Sequence, residues 1–171
     1  MLYDVLIIGS GIAGLSAAYE ALSRDARVAV VSKSNFLRSN SSLASGGINA
    51  ALGNMQEDSV EEHFEDTLKG SDFSATKQAL RSMCQKAPSA IKKLEEIGVP
   101  FDRIGEKIAQ RPFGGAGKKR TCYVADKTGG AIVQAYMKSL KHENLTFIKD
   151  HMLLSLISYK GEIAGVSLLD K

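Results

Sequence analysis

The run Gly9-Ser10-Gly11-Ile12-Ala13-Gly14 has GxGxxG spacing, and it carries the first legible chemistry in this chain of 171 residues. Glycines at that spacing suit a pyrophosphate. Gly9 permits a tight turn, Gly11 lets the backbone approach the phosphates, and Gly14 lets a helix lie close to a strand. The N–H groups and dipole at the start of that helix then face the anion. Alone the pattern is weak; it gains force if a strand ends at Gly9 and a helix opens directly behind it. A second test lies at the end of the next strand, where many dinucleotide-binding chains place an acid for the adenosine ribose. Ser32 and Lys33 stand there instead. One hydroxyl cannot accept bonds from both ribose hydroxyls, which weighs against a generic NAD site.

The elements needed to position these residues are written in the hydrophobic pattern. Residues 3–8 form a β-rich apolar run, and Ile12, Leu15, Ala18 and Leu22 follow at helical spacing. Residues 27–32 read as a second buried strand, so the start of the chain predicts a βαβ unit with a parallel pair. Residues 33–45 are polar and rich in Ser and Asn, a loop long enough to imply a function. Helices are expected over residues 59–68 and 76–97, the second broken in two at Pro88 and stopped by Gly98. Residues 105–117 are Gly-rich and irregular. Residues 128–140 return to helical spacing, with Asp126 or Thr128 as N-cap. Residues 145–148, 153–159 and 162–169 read as strands, the last two joined as a hairpin at Lys160-Gly161. The expected fold is α/β: a three-layer Rossmann-like FAD/NAD(P)-binding domain with a parallel central sheet, a helical insertion and the start of a β-meander, in one domain over residues 1–171.

Composition excludes several other classes. A net charge of +3 with basic residues spread along the chain gives no nucleic-acid stripe, and the one basic cluster, Lys118, Lys119 and Arg120, reads as a solvated loop. No apolar run approaches the ~18 residues of a membrane span, and Val5 to Ile8 is too short for a signal peptide, so a cytoplasmic protein without direct membrane insertion is expected. Cys84 and Cys122 read as packed thiols in a reducing compartment. His63, His142 and His151 show no metal-ligand spacing, and His63 reads as a packing residue of its helix.

Residues 38–51, Arg-Ser-Asn-Ser-Ser-Leu-Ala-Ser-Gly-Gly-Ile-Asn-Ala-Ala, resemble the flavin loop of the succinate dehydrogenase and fumarate reductase flavoprotein family, which includes L-aspartate oxidase. The Ser32-Lys33 pair matches that family too. So, in the same order, do His63-Phe64-Glu65-Asp66-Thr67, Lys69-Gly70-Ser71-Asp72, Arg111-Pro112-Phe113-Gly114-Gly115 and residues 120–129. The resemblance covers nearly the whole chain and implies an FAD cofactor. Gly9, Gly11, Ile12, Ala13 and Gly14 would hold the pyrophosphate, and Ser32 and Lys33 the adenosine end. Ser39, Asn40, Ser41, Ala44, Ser45, Gly46 and Gly47 would wrap the ribityl chain and isoalloxazine ring, with Met152 at the adenine. A short helix beginning near Ile48 would aim its positive end at the ring carbonyl that gains charge on reduction. Asn40 stands where most membrane-bound relatives have a histidine joined covalently to the flavin, and an amide nitrogen cannot form that bond, so FAD is expected to be non-covalent. Asn40 is otherwise a polar loop residue bonded locally or a direct flavin contact.

The resemblance also implies a substrate. Phe113 and Gly114 fall where fumarate reductases set an aromatic ring and flexible backbone against a C4 dicarboxylate, whereas aspartate oxidases carry a glutamate in place of Phe113. Burying an amine without that carboxylate costs several kcal/mol, of which cation–π attraction recovers about 1–2. Fumarate or succinate is therefore expected, with L-aspartate oxidase and a nucleotide-binding module without redox chemistry as the alternatives. Phe113 has a plainer reading as a core aromatic. The family continues beyond the region corresponding to Lys171 into capping and helical domains that hold its proton donor and carboxylate clamps, so no catalytic residue maps here. The chain alone is expected to be inactive, and the parent enzyme to work with an iron–sulfur subunit at the inner face of the cytoplasmic membrane.

Overall fold

Short β-branched runs alternating with helical periodicity set the order of elements. The computed structural model, which describes residues 2–171, contains β1 (Val5–Ile8), α1 (Ile12–Leu22), β2 (Val28–Val31), α2 (Asn40–Leu43), β3 (Ile48–Asn49), α3 (Val60–Gly70), α4 (Lys77–Ile97), β4 (Arg103–Ile104), β5 (Lys107–Ile108), β6 (Gln110–Arg111), β7 (Thr121–Cys122), α5 (Thr128–Ser139), β8 (Leu145–Ile148), β9 (His151–Tyr159) and β10 (Glu162–Asp170). These elements divide into two units. One comprises the chain up to Leu43 with everything from Ile132 onward; the other runs from Ala44 to Ala131.

In the first unit, β1, β2 and β8 form a parallel sheet in the order β1-β2-β8. Central β2 is buried at every position, as a strand covered on both faces must be. α1 buries Leu15, Ala18 and Leu22 along one face. Its Tyr19 ring meets Tyr136 of α5 edge-on, with centroids 6.1 Å apart. The register pairs Ile8 with Val31 and Val31 with Ile148, so all three strands end level. Gly9 N–H donates to Val31 O and Ser32 N–H to Ile148 O, each at 2.8 Å, locking the exit of the chain from the sheet. β9 and β10 form an antiparallel hairpin turning at Lys160 and Gly161, whose φ values of 52° and 84° suit a tight two-residue turn.

The second unit is organised around a buried charge. Arg120 is 0% exposed and holds Asp58 through two bonds, Nε at 3.0 Å and Nη2 at 2.9 Å, while Nη2 also lies 3.1 Å from Asp66. Asp58 precedes α3, whose N-cap Ser59 accepts the Glu62 N–H at 3.1 Å. α3 and α4 pack through Phe64, Leu68, Leu80 and Cys84. β3, β7 and β6 make a small antiparallel sheet, and the Gln110 side chain inside it donates to Ala50 O at 2.8 Å and Arg120 O at 3.0 Å.

Five expectations change. α4 runs unbroken through Pro88. The proline removes a backbone bond at a cost of about 3 kcal/mol. One buried face nevertheless continues from Leu80, Cys84 and Ala87 to Ile91 and Leu94, and side-chain burial at ~1.5–3 kcal/mol each outweighs that loss. Ile48 opens no helix: Ile48 and Asn49 pair with Cys122 and Thr121 as β3, so no helix dipole points from this position. Residues 33–45 include one helical turn, α2. Residues 105–117 contain strand residues of β5 and β6, too short to show a period in the sequence. Arg120 is buried rather than solvated, because its two carboxylate partners lie about 60 residues away in sequence. The thiols of Cys84 and Cys122 are packed as expected, and burial raises both, Cys122 to about 12.

Removing one member of a buried pair leaves an uncompensated charge, so Asp58→Ala should lower urea-unfolding stability by about 3–5 kcal/mol, and Arg120→Met in the same background should recover part of it. His63 is 2% exposed, and burial first, then the Arg120 charge, holds its imidazole below the ordinary value near 6.5. The unfolded state therefore binds more protons just below that pH. Stability should be complete above it and fall as pH drops through this window, and His63→Gln should remove the slope in unfolding measured across it.

Candidate functional site

The level carboxyl ends of β1 and β2 open on a cleft of about 430 Å³ lined by residues from both strand ends, from the polar loop behind β2, and from the start of β9. In open α/β sheets this is where ligands bind. Gly9, Gly11, Ser32, Lys33, Ser39, Asn40 and Met152 all line it, so residues widely separated in sequence share one cavity.

The glycines are there for measurable reasons. Gly9 has φ 110°, which L side chains rarely adopt, and a Cβ on Gly14 would lie 2.0 Å from Gly9 O. α1 can approach β1 this closely only without that carbon. Its N-cap Gly11 offers no side-chain capping bond, which leaves the first turn open at its positive end. Ser41 O𝛾 accepts the Ile12 N–H at 3.1 Å and would lie 3.1 Å from a Cβ on Gly11, so the loop containing α2 rests on the glycine turn. Ser39 holds that loop in shape by accepting the Ser42 N–H at 3.2 Å. Ile12, Ala13, Gly14 and Ser41 thus flank the cleft instead of lining it.

Ser32 is 6% exposed, and its hydroxyl is 2.9 Å from that of Ser10, itself 5% exposed. Ser10 was not singled out in the sequence: it occupies a variable position of the glycine spacing, and only the fold sets it against Ser32. Arg38, Ser34 and His151 also line the cleft without having been anticipated. The His151 ring Nδ1 donates to Lys149 O at 2.7 Å, and the His151 backbone N–H donates to Ser32 O at 3.0 Å. Asn40 is exposed at this cavity and its side chain makes no hydrogen bond with a described residue, so the local side-chain bond considered for it is not formed.

Ala44, Ser45, Gly46, Gly47, Phe113 and Gly114 belong to the second unit. Ala44 O accepts the Gly129 N–H at 2.8 Å, while Ser45 is exposed. Gly47 has φ 115°, and a Cβ there would lie 2.5 Å from Cys122 O. Phe113 packs across Gly46, with its Cζ 2.8 Å from where a Cβ would stand, yet the ring is 52% exposed and is no core aromatic. Gly114 has open space around it. The loop after Phe113 is tied down by the Gly117 N–H, which donates to Asp66 at 2.9 Å. Arg111 also reaches this place: Nη2 donates to Gly46 O at 3.0 Å, and the guanidinium lies 4.3 Å from the Tyr123 ring centroid.

A parallel βαβ unit with a tight glycine turn and a cleft at its strand ends defines a dinucleotide-binding protein. The family described as FAD binding domain matches residues 4–171. The succinate dehydrogenase flavoprotein subunit of Rickettsia bellii is 45% identical over 174 residues, which cover 96% of this chain and 29% of the relative. The Mycobacterium smegmatis Sdh1 complex in the apo form superposes with a TM-score of 0.92 at 34% identity, over 98% of this chain and 31% of that one. A point variant of E. coli quinol fumarate reductase gives 0.90 at 30% identity, over 98% and 29%. The chain belongs to the succinate dehydrogenase and fumarate reductase flavoprotein family, as an FAD-binding domain with a mixed α/β fold. It spans about 29% of the length of that first curated relative.

The glycine turn fits an FAD pyrophosphate because Cβ atoms are missing where the backbone must close. Gly14→Ala should weaken FAD binding at least ~100-fold, about 2.7 kcal/mol, in a flavin-absorbance titration. Gly114→Ala, with open space around it, should leave that affinity within about twofold.

Proposed function

We propose that this chain is the FAD-binding part of an oxidoreductase that interconverts fumarate and succinate. Bound FAD would supply hydride transfer at its N5. The residues of this chain would bind and orient: Gly9, Gly11, Ile12, Ala13 and Gly14 at the pyrophosphate, Ser32 and Lys33 at the adenosine end, and Met152 at the adenine. Ser39, Asn40, Ser41, Ala44, Ser45, Gly46 and Gly47 would line the ribityl chain and ring, with Phe113 and Gly114 against the C4 dicarboxylate. The polypeptide that does this work would carry further domains and dock an iron–sulfur subunit at the inner face of the cytoplasmic membrane. No helix among the described residues is long and apolar enough to cross a membrane.

The observation that carries the substrate reading is the half-exposed Phe113 ring lying across Gly46. It offers an apolar, uncharged surface beside the flavin loop. A substrate ammonium would find no carboxylate on this residue and would lose several kcal/mol of hydration. Fumarate and succinate carry no such group.

The full-length protein should show kcat/KM for fumarate reduction or succinate oxidation at least ~100-fold above that for aspartate oxidation, as expected for about 2.7 kcal/mol of discrimination. A preference for aspartate, with hydrogen peroxide produced, would move it to the amino-acid oxidase branch. Asn40 supports a non-covalent cofactor, so acid precipitation should release the yellow colour into the supernatant. Flavin fluorescence retained on the denatured polypeptide in a gel would contradict that.

A further inference from the structure

With β3 in place of a helix at Ile48, the flavin loop lacks the positive helix end that the sequence suggested. A different cation stands beside it. Arg111, on β6, sends Nη2 to Gly46 O at 3.0 Å and stacks its guanidinium 4.3 Å from the centre of the Tyr123 ring. Its Nε is buried and has no hydrogen-bond partner, and among the described residues no carboxylate pairs with this side chain. This contrasts with Arg120, two carboxylates deep in the same unit. Arg111 is half-buried, and its buried Nε without a partner costs free energy unless the charge beside it serves something. Packing alone would not require a cation at this position, because an apolar side chain can stack on Tyr123.

Resting on the FAD reading above, we propose that Arg111 is the positioning and field-setting residue of the flavin loop. It orients the Gly46 carbonyl by donating to its oxygen, and its uncompensated charge would favour the negative charge that a bound isoalloxazine gains on two-electron reduction. Electrostatic preorganisation of this kind acts strongly where water is excluded and needs no rearrangement when the charge develops. The tyrosine face and the strand pairing of β6 with β7 hold the guanidinium in one plane, so its position does not depend on the substrate. The role follows the charge and not the volume of the side chain, and this separates it from a structural role.

The test is the two-electron midpoint potential of FAD bound to the full-length protein, followed by its visible spectrum, in Arg111→Gln, Arg111→Met and Arg111→Lys. The neutral variants should lower the potential by about 30 mV or more, a tenfold change in the equilibrium constant. They should also weaken sulfite addition to the flavin by tenfold or more. Arg111→Lys, which keeps the charge, should stay within about threefold of wild type on both readouts. A potential that is unmoved in a folded neutral variant, or equally displaced in Arg111→Lys, overturns the proposal. So does failure of both neutral variants to fold, which would assign the charge to the fold. Wild-type protein that takes up no FAD would instead sink the cofactor reading beneath it.

Discussion

Everything at the cleft depends on how closely α1 approaches β1. A Cβ on Gly14 would lie 2.0 Å from the Gly9 carbonyl oxygen, so the helix reaches this position only because that carbon is absent. The approach sets the open first turn of α1 at the level where β1 and β2 end. Two further contacts complete it: the Ser10 and Ser32 hydroxyls pair 2.9 Å apart, and Ser41 takes the Ile12 N–H. Together these contacts shape the cavity at the strand ends.

The second unit solves a different problem, that of holding loops with little regular structure. Its strands are two residues long, too short to be stable alone. Arg120 supplies the missing order. It joins the segment before α3 through Asp58 and the middle of α3 through Asp66, and Asp66 in turn holds Gly117 near the end of the Phe113 loop. Buried ion pairs seldom add much net stability, but breaking one strands a charge, and this enforces a single arrangement. Around this hub Gly47 packs against Cys122 and Gly46 against Phe113, and among the described residues no carboxylate pairs with Arg111.

Taken together, the two units divide the work by chemistry. Backbone groups and small hydroxyls in one suit a pyrophosphate and a ribose. The other presents an aromatic ring, close-packed glycines and a stacked guanidinium.

What was legible in the sequence was local. The glycine spacing, the apolar runs of β1, β2 and β8, the helical faces of α1 and α5, and the turn at Lys160-Gly161 all follow from periodicity and backbone preference over a few residues. The family resemblance added the cofactor and part of the cleft lining, including Ser32, Asn40 and Met152. The tertiary structure decided what depends on partners far along the chain. Pro88 stays inside α4 because burial on either side outweighs one lost backbone bond, and Ile48 becomes a strand because Cys122 is there to pair with it. Arg120 turns from an expected surface charge into a buried hub because two carboxylates return to it from about 60 residues away. Spacing along a chain records which backbone states are cheap locally; it does not record which distant charge or carbonyl a side chain will meet, as Arg111 meets Gly46 O and Arg120 meets Asp58 and Asp66.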